Sequence, residues 1–170
     1  MTAFVALLRA VNVGGRKLAM ADLRGIGREL GFRHPSTFIA SGNLLFASDE
    51  AEATVARILE ERLEKHMSAD VPVFVRTARE MDQIARSNPF SGEPGSKVAA
   101  IFLESTPPKH VVEETGGIAD ERLALGRREI YVHYPSGMGR SKLRLPARVV
   151  GTARNMNTVA KLAELAKEVE

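Results

Sequence analysis

The chain has 170 residues, 44% hydrophobic and 26% charged, with a formal net charge of +3. That balance describes a globular chain long enough for one ordinary domain or two small ones, and its mild excess of cations permits an acidic partner without requiring one. The absence of cysteine excludes disulfides, thiolate catalysis and Cys-ligated zinc or iron–sulfur sites, and it fits a reducing compartment.

Ala3–Val11 is a continuous apolar run suited to a strand buried on both faces. It is too short for a secretory leader and has no cationic lead. No apolar run approaches the ~20 residues needed to cross a bilayer, so a cytoplasmic protein without a membrane partner is expected. Asn12–Lys17 is a Gly-Gly loop, and Met20–Gly31 repeats Leu23, Ile26, Gly27 and Leu30 at helical spacing. Ser36–Ser41 and Leu44–Ala47 read as strands joined by a tight Gly42-Asn43 turn. Ala51–His66 is a second amphipathic helix, and Asp70–Arg76 alternates Val71, Val73 and Val75 as an edge-type strand.

This β-α-β-β-α-β order is the ferredoxin-like plan, whose helices cover one sheet face and leave the other to be covered or used. Arg79–Ser87 reads as a linking helix and Asn88–Gly95 as a turn-rich connector. The pattern then restarts. Val98–Glu104 is a strand, His110–Thr115 a short helix, and Arg122–Leu125 with Glu129–Tyr134 a hairpin. A basic loop leads to a closing helix over Val159–Glu168. The expected architecture is therefore α+β, with two ferredoxin-like (alpha-beta plait) subdomains packed together and the second lacking an obvious last strand. The expected boundaries are 1–77 for the first subdomain, 78–96 for the linking helix and turn, and 97–170 for the second.

Candidate chemistry concentrates in the basic stretch. Arg140, Lys142, Arg144, Arg148, Arg154 and Lys161 follow a Gly-rich loop with no acidic residue among them. The loop Ser136–Lys142 offers backbone amides at Gly137 and Gly139, the Ser141 hydroxyl and two cations, but it has neither P-loop nor G-x-G-x-x-G spacing. Asn157 or Thr158 would cap the closing helix. Arg154 and Lys161 near its start oppose the helix dipole at about 0.3–1 kcal/mol each, a cost that a bound anion or a carboxylate of the fold would remove. A further loop, with Arg9, Asn12, Gly14, Gly15, Arg16 and Lys17, follows the first strand. Ser41-Gly42-Asn43 reads as a turn. His133 and Tyr131 share one strand face, where they would stack a base, move a proton or simply pack. The four histidines have no metal-ligand spacing, so no metal or cofactor is indicated.

Six blocks, in order, carry a family resemblance: LLRAVNVGG (Leu7–Gly15), SGN with LLF (Ser41–Phe46), NPF (Asn88–Phe90), KVAAIFL (Lys97–Leu103), YVHYPSGMGRSKL (Tyr131–Leu143) and GTARNMNTVAKL (Gly151–Leu162). Together the chain resembles the bacterial family called domain of unknown function 1697, over essentially its whole length. The resemblance implies paired ferredoxin-like subdomains and no particular activity. Many relatives have Trp where this chain has Met156, so an aromatic stacking role there would be lost. The family's recurring polar positions map onto Arg9, Asn12, Gly14, Gly15, Ser41, Asn43, Ser141, Lys142, Arg154, Asn155 and Thr158. Together with Arg140 they form the expected ligand-binding set. The expected partner is an anionic small molecule or nucleotide. RNA or DNA on an open sheet face is the second reading, and a transferase acting on a phosphorylated metabolite, with His133 moving a proton, is the third.

Overall fold

Two four-stranded antiparallel sheets carry the fold in the computed structural model, which describes residues 1–169. The chain divides into two units, Met1–Asp82 with Lys161–Glu170, and Gln83–Ala160.

In the first unit, β1 (Thr2–Leu8), α1 (Met20–Glu29), β2 (Arg33–Thr37), β3 (Asn43–Ser48), α2 (Glu52–Met67) and β4 (Val73–Thr77) follow one another. The sheet order β2-β3-β1-β4 is that of a ferredoxin-like domain. Alternation along β1 sends Phe4, Ala6 and Leu8 into a core with Leu23 and Ile26 of α1 and Val55, Leu59 and Leu63 of α2. Gly27 lets α1 approach β2 closely, since a Cβ there would lie 3.1 Å from Cβ of Pro35. The expected two-residue turn between β2 and β3 is instead a longer loop, Phe38–Gly42. Asn43 is already the first residue of β3, opposite Leu7 of β1.

The second unit repeats the sheet with β5 (Val98–Leu103), α4 (Val111–Glu114), β6 (Arg122–Leu125), β7 (Glu129–His133) and β8 (Gly151–Asn155), in the order β6-β7-β5-β8. The last strand, which the sequence reading left out, is therefore present as β8. Its sequence Gly-Thr-Ala-Arg-Asn carries no apolar alternation, and its register comes entirely from pairing with β5. What is missing is the helix between β7 and β8. Met138, Leu143, Leu145 and Val149, from an irregular segment, pack on the core of Ala99, Ile101, Ile130 and Val132 in its stead. α3 (Ala78–Arg86) follows β4 and α5 (Met156–Lys167) follows β8, each without an intervening loop.

The second faces of the central strands are also withdrawn from water. Val5, Leu7, Leu45, Phe74 and Arg76 are buried in the first unit, as are Ala100, Phe102, Tyr131, Thr152 and Arg154 in the second. An open face with rings free to stack bases, which the nucleic-acid reading needed, is not what these strands present. Tyr131 is 2% exposed and His133 6%. Among the described residues, no helix is long and apolar enough to cross a membrane.

Candidate functional site

In the first unit the polar residues singled out by sequence mostly hold loops together. Asn12, in the left-handed region at φ 57°, donates from Nδ2 to the carbonyls of Leu18 at 3.0 Å and Ala40 at 2.6 Å. Its Oδ1 accepts from the Leu18 amide at 2.8 Å. The loop after β1 is thus folded onto the loop before β3, a convergence that spacing alone left open. Asn43 is fully buried and donates to the Phe38 carbonyl and to Ser41 Oγ, at 2.9 and 3.0 Å. Gly14 and Gly15 sit in the exposed bend closed by the Val13–Arg16 bridge. Arg9 is exposed, and its amide donates to the Pro72 carbonyl at 3.0 Å.

In the second unit, the Gly-rich loop lines a cleft of about 510 Å³. One wall is Ser136, Gly137, Arg140, Ser141 and Lys142, and the other is Gly117, Ala119, Asp120 and Glu121. The walls are stitched in three places. Gly116 and Arg144 exchange backbone hydrogen bonds at 2.9 and 2.8 Å. Ser136 Oγ donates to Asp120 Oδ2 at 2.6 Å, and Ser141 Oγ donates to Glu121 Oε2. The Ser141 hydroxyl, and then the Ala119 amide at 2.7 Å, hold the Glu121 carboxyl below its usual range. The Glu121 carboxyl is therefore held in its ionised form at neutral pH, and the carboxyls of Asp120 and Glu121 are each occupied by a serine hydroxyl donor. Arg140 and Lys142 are exposed and make no ion pair among the described residues, so the cleft is divided into an acidic and a basic side.

The start of α5 is built differently from the expectation. Arg154 belongs to β8, and its side chain is buried, donating to Thr152 Oγ1 at 2.8 Å and to the Ala153 carbonyl at 2.9 Å. Burial lowers its pKa to about 10, still far enough above neutrality to keep the guanidinium charged. The cap is Asn155, whose Oδ1 accepts from the Thr158 amide at 2.9 Å, in place of Asn157 or Thr158. Lys161 lies 3.8 Å from the Glu164 carboxylate, so an acid of the fold offsets the charge that opposed the helix dipole. Arg154 and Asn155 thus act within the strand and the cap, and neither lines the Gly-rich cleft.

His133 does not line that cleft either. Its Nε2 is 3.6 Å from the Glu93 carboxylate, and its ring centroid is 5.7 Å from that of Phe90. This leaves the transferase reading without its proton carrier at the basic loop. Asp120, Glu121 and Gly117 were missed. The hairpin register, Arg122 opposite His133, contains the clue, because its continuation places residues 119–121 beside 134–136. Among the described residues, no three His, Asp or Glu side chains cluster as metal ligands do.

A conserved bacterial protein from Streptococcus pneumoniae, of known structure, superposes with a TM-score of 0.82 at 25% identity, over 98% of this chain and 99% of its own. No curated protein matches in sequence. The model of the family described as protein of unknown function (DUF1697) matches residues 1–131. That match spans Met1–Asp82 of the first unit and the second unit as far as Tyr131 in β7, and the chain belongs to this family.

Proposed function

We propose that the protein binds a small ligand bearing a phosphate or another anionic group, in the cleft between Gly117–Glu121 and Ser136–Lys142. The observation that carries this reading is the pair of exposed cations, Arg140 and Lys142, without ion-pair partners among the described residues and set in a concave, braced wall. Gly137, which also lines that wall, has no side chain to keep a ligand from the backbone. Asp120 and Glu121 across the cleft reject a bare polyanion but accept hydrogen bonds from hydroxyl or amino groups. The ligand class that satisfies both sides is a sugar phosphate or nucleotide, whose phosphate meets Arg140 and Lys142 while its hydroxyls face Asp120.

Thermal unfolding with inorganic phosphate, ADP and adenosine tests this. ADP is expected to stabilise the protein as RT ln(1 + [L]/Kd), which reaches about 2.7 kcal/mol at a hundredfold excess over Kd. Adenosine is expected to do little. Arg140→Ala and Lys142→Ala should each weaken ADP binding by about tenfold or more, the cost of one charge-assisted hydrogen bond. Equal shifts in the wild type and both variants would exclude these residues as the site.

A further inference from the structure

β6, four residues long, ends its sheet with one side unpaired, and it has neither a proline nor a bulge to blunt that edge. The contrast lies within the same chain. β2 occupies the matching place in the first unit, where Pro35, a left-handed His34 at φ 52° and a register shift between Arg33 and Ser36 blunt the edge. β6 reads Arg122-Leu123-Ala124-Leu125, pairs with β7 in unbroken register and has Leu125 41% exposed. Ile118, a few residues upstream, is also 41% exposed.

The geometry points to a second copy of this chain as the occupant of that edge, joined β6 to β6 in antiparallel fashion about a two-fold axis at Ala124. The register follows from the hydrogen bonding. The Gly126 amide donates to the Glu129 carbonyl at 2.8 Å, which makes 126 and 129 a bonded pair. With Leu125 opposite Ile130 and Ala124 opposite Tyr131, alternation makes Ala124 and Arg122 the next bonded residues toward β7. The amides and carbonyls of Leu123 and Leu125 therefore point outward. Antiparallel self-pairing must match outward residues with outward residues, so Leu123 of one copy faces Leu125 of the other, twice, with four backbone hydrogen bonds.

In this register Ala124 faces its own counterpart, and the smallest side chain of the strand lies on the axis. The Arg127-Arg128 turn of each copy falls beside Asp120-Glu121 of the other, so opposite charges meet at both ends. Shifting the two-fold to Leu123 would set Glu121 against Leu125 and lose that match. The pairing joins two four-stranded sheets into one of eight strands. Its short ladder fits a reversible, concentration-dependent dimer rather than an obligate one.

Sedimentation of the full chain across a concentration series tests the association, and engineered cysteines test the register. The sequence has no cysteine of its own, so Ala124→Cys places a single thiol on the axis. Non-bonded antiparallel pairs hold Cα atoms about 4.5 Å apart, within disulfide range. Rapid disulfide-linked dimer is expected from Ala124→Cys under mild oxidation, and only slow cross-linking from Glu64→Cys on α2. Leu125→Lys should raise the dimer dissociation constant at least tenfold, and circular dichroism checks that it folds. A monomer at every concentration overturns the proposal. So does a dimer indifferent to Leu125→Lys, or equal cross-linking at positions 124 and 64.

Discussion

Gly117→Ala is expected to cost about 3 kcal/mol or more of stability and to abolish ligand-induced stabilisation, whereas Gly137→Ala should cost only about 1 kcal/mol. Both glycines have positive φ, +70° and +89°, so both substitutions carry the left-handed penalty of an L-residue. They differ in surroundings. A Cβ at Gly117 would lie 1.9 Å from the Lys142 carbonyl oxygen, whereas one at Gly137 meets nothing within 4 Å. A backbone carbonyl cannot rotate aside as a flexible side chain does, so relieving the clash means parting the two cleft walls. The Gly116–Arg144 bridge and the Ser141–Glu121 bond would part with them. Urea midpoints of the two variants, compared at matched m-values, check this. Equal costs at the two positions would show that the walls are not closely joined at Gly117.

Tyr131→Phe is expected to lose about 1–3 kcal/mol at pH 8, and the deficit should shrink as the solution becomes alkaline. The phenol is buried on β7 and donates to the Ile84 carbonyl at 2.8 Å. Removing it leaves that carbonyl with one partner fewer inside the protein. Burial, reinforced by the nearby Glu129 charge, pushes the Tyr131 pKa well above its ordinary value of 10.0. In the unfolded chain the phenol ionises near pH 10, while in the folded chain it stays protonated. Its contribution is therefore complete below pH 10 and is lost as the pH rises beyond it. By pH 11 the gap between wild type and variant should narrow by roughly 1 kcal/mol, since each pH unit is worth at most about 1.4 kcal/mol for one proton. Denaturant titrations at pH 8, 10 and 11 measure the gap. A gap that stays constant would mean that the phenol is not held protonated by the fold.

The elements that the sequence made legible are those whose apolar period is set locally. β1, α1, α2 and β5 each write their buried side into consecutive residues, and the repeated strand–helix–strand order points to the ferredoxin-like sheet. β8 was illegible because Gly151–Asn155 earns its strand conformation from β5 alone. The absent second helix was equally hidden, since Met138, Leu143, Leu145 and Val149 reach the core from an aperiodic segment. For the cleft, glycine and cation content located one wall, Ser136–Lys142. The other wall, Gly117–Glu121, was passed over because a Gly-Gly bend followed by two acids resembles any solvated connector until the hairpin register brings it opposite Ser136. Arg154 illustrates the converse. A cation next to a helix start reads as an anion site, yet strand parity turns it onto the buried face of β8.

Amide chemical-shift mapping of the isotopically labelled full chain during titration with ADP addresses the cleft most directly. Saturable shifts confined to residues 116–121 and 136–142, present in the wild type and lost in Lys142→Ala, are the predicted result. Shifts that fail to saturate, or that are scattered over exposed lysines and arginines elsewhere with those two segments unmoved, would contradict a ligand site between the two walls.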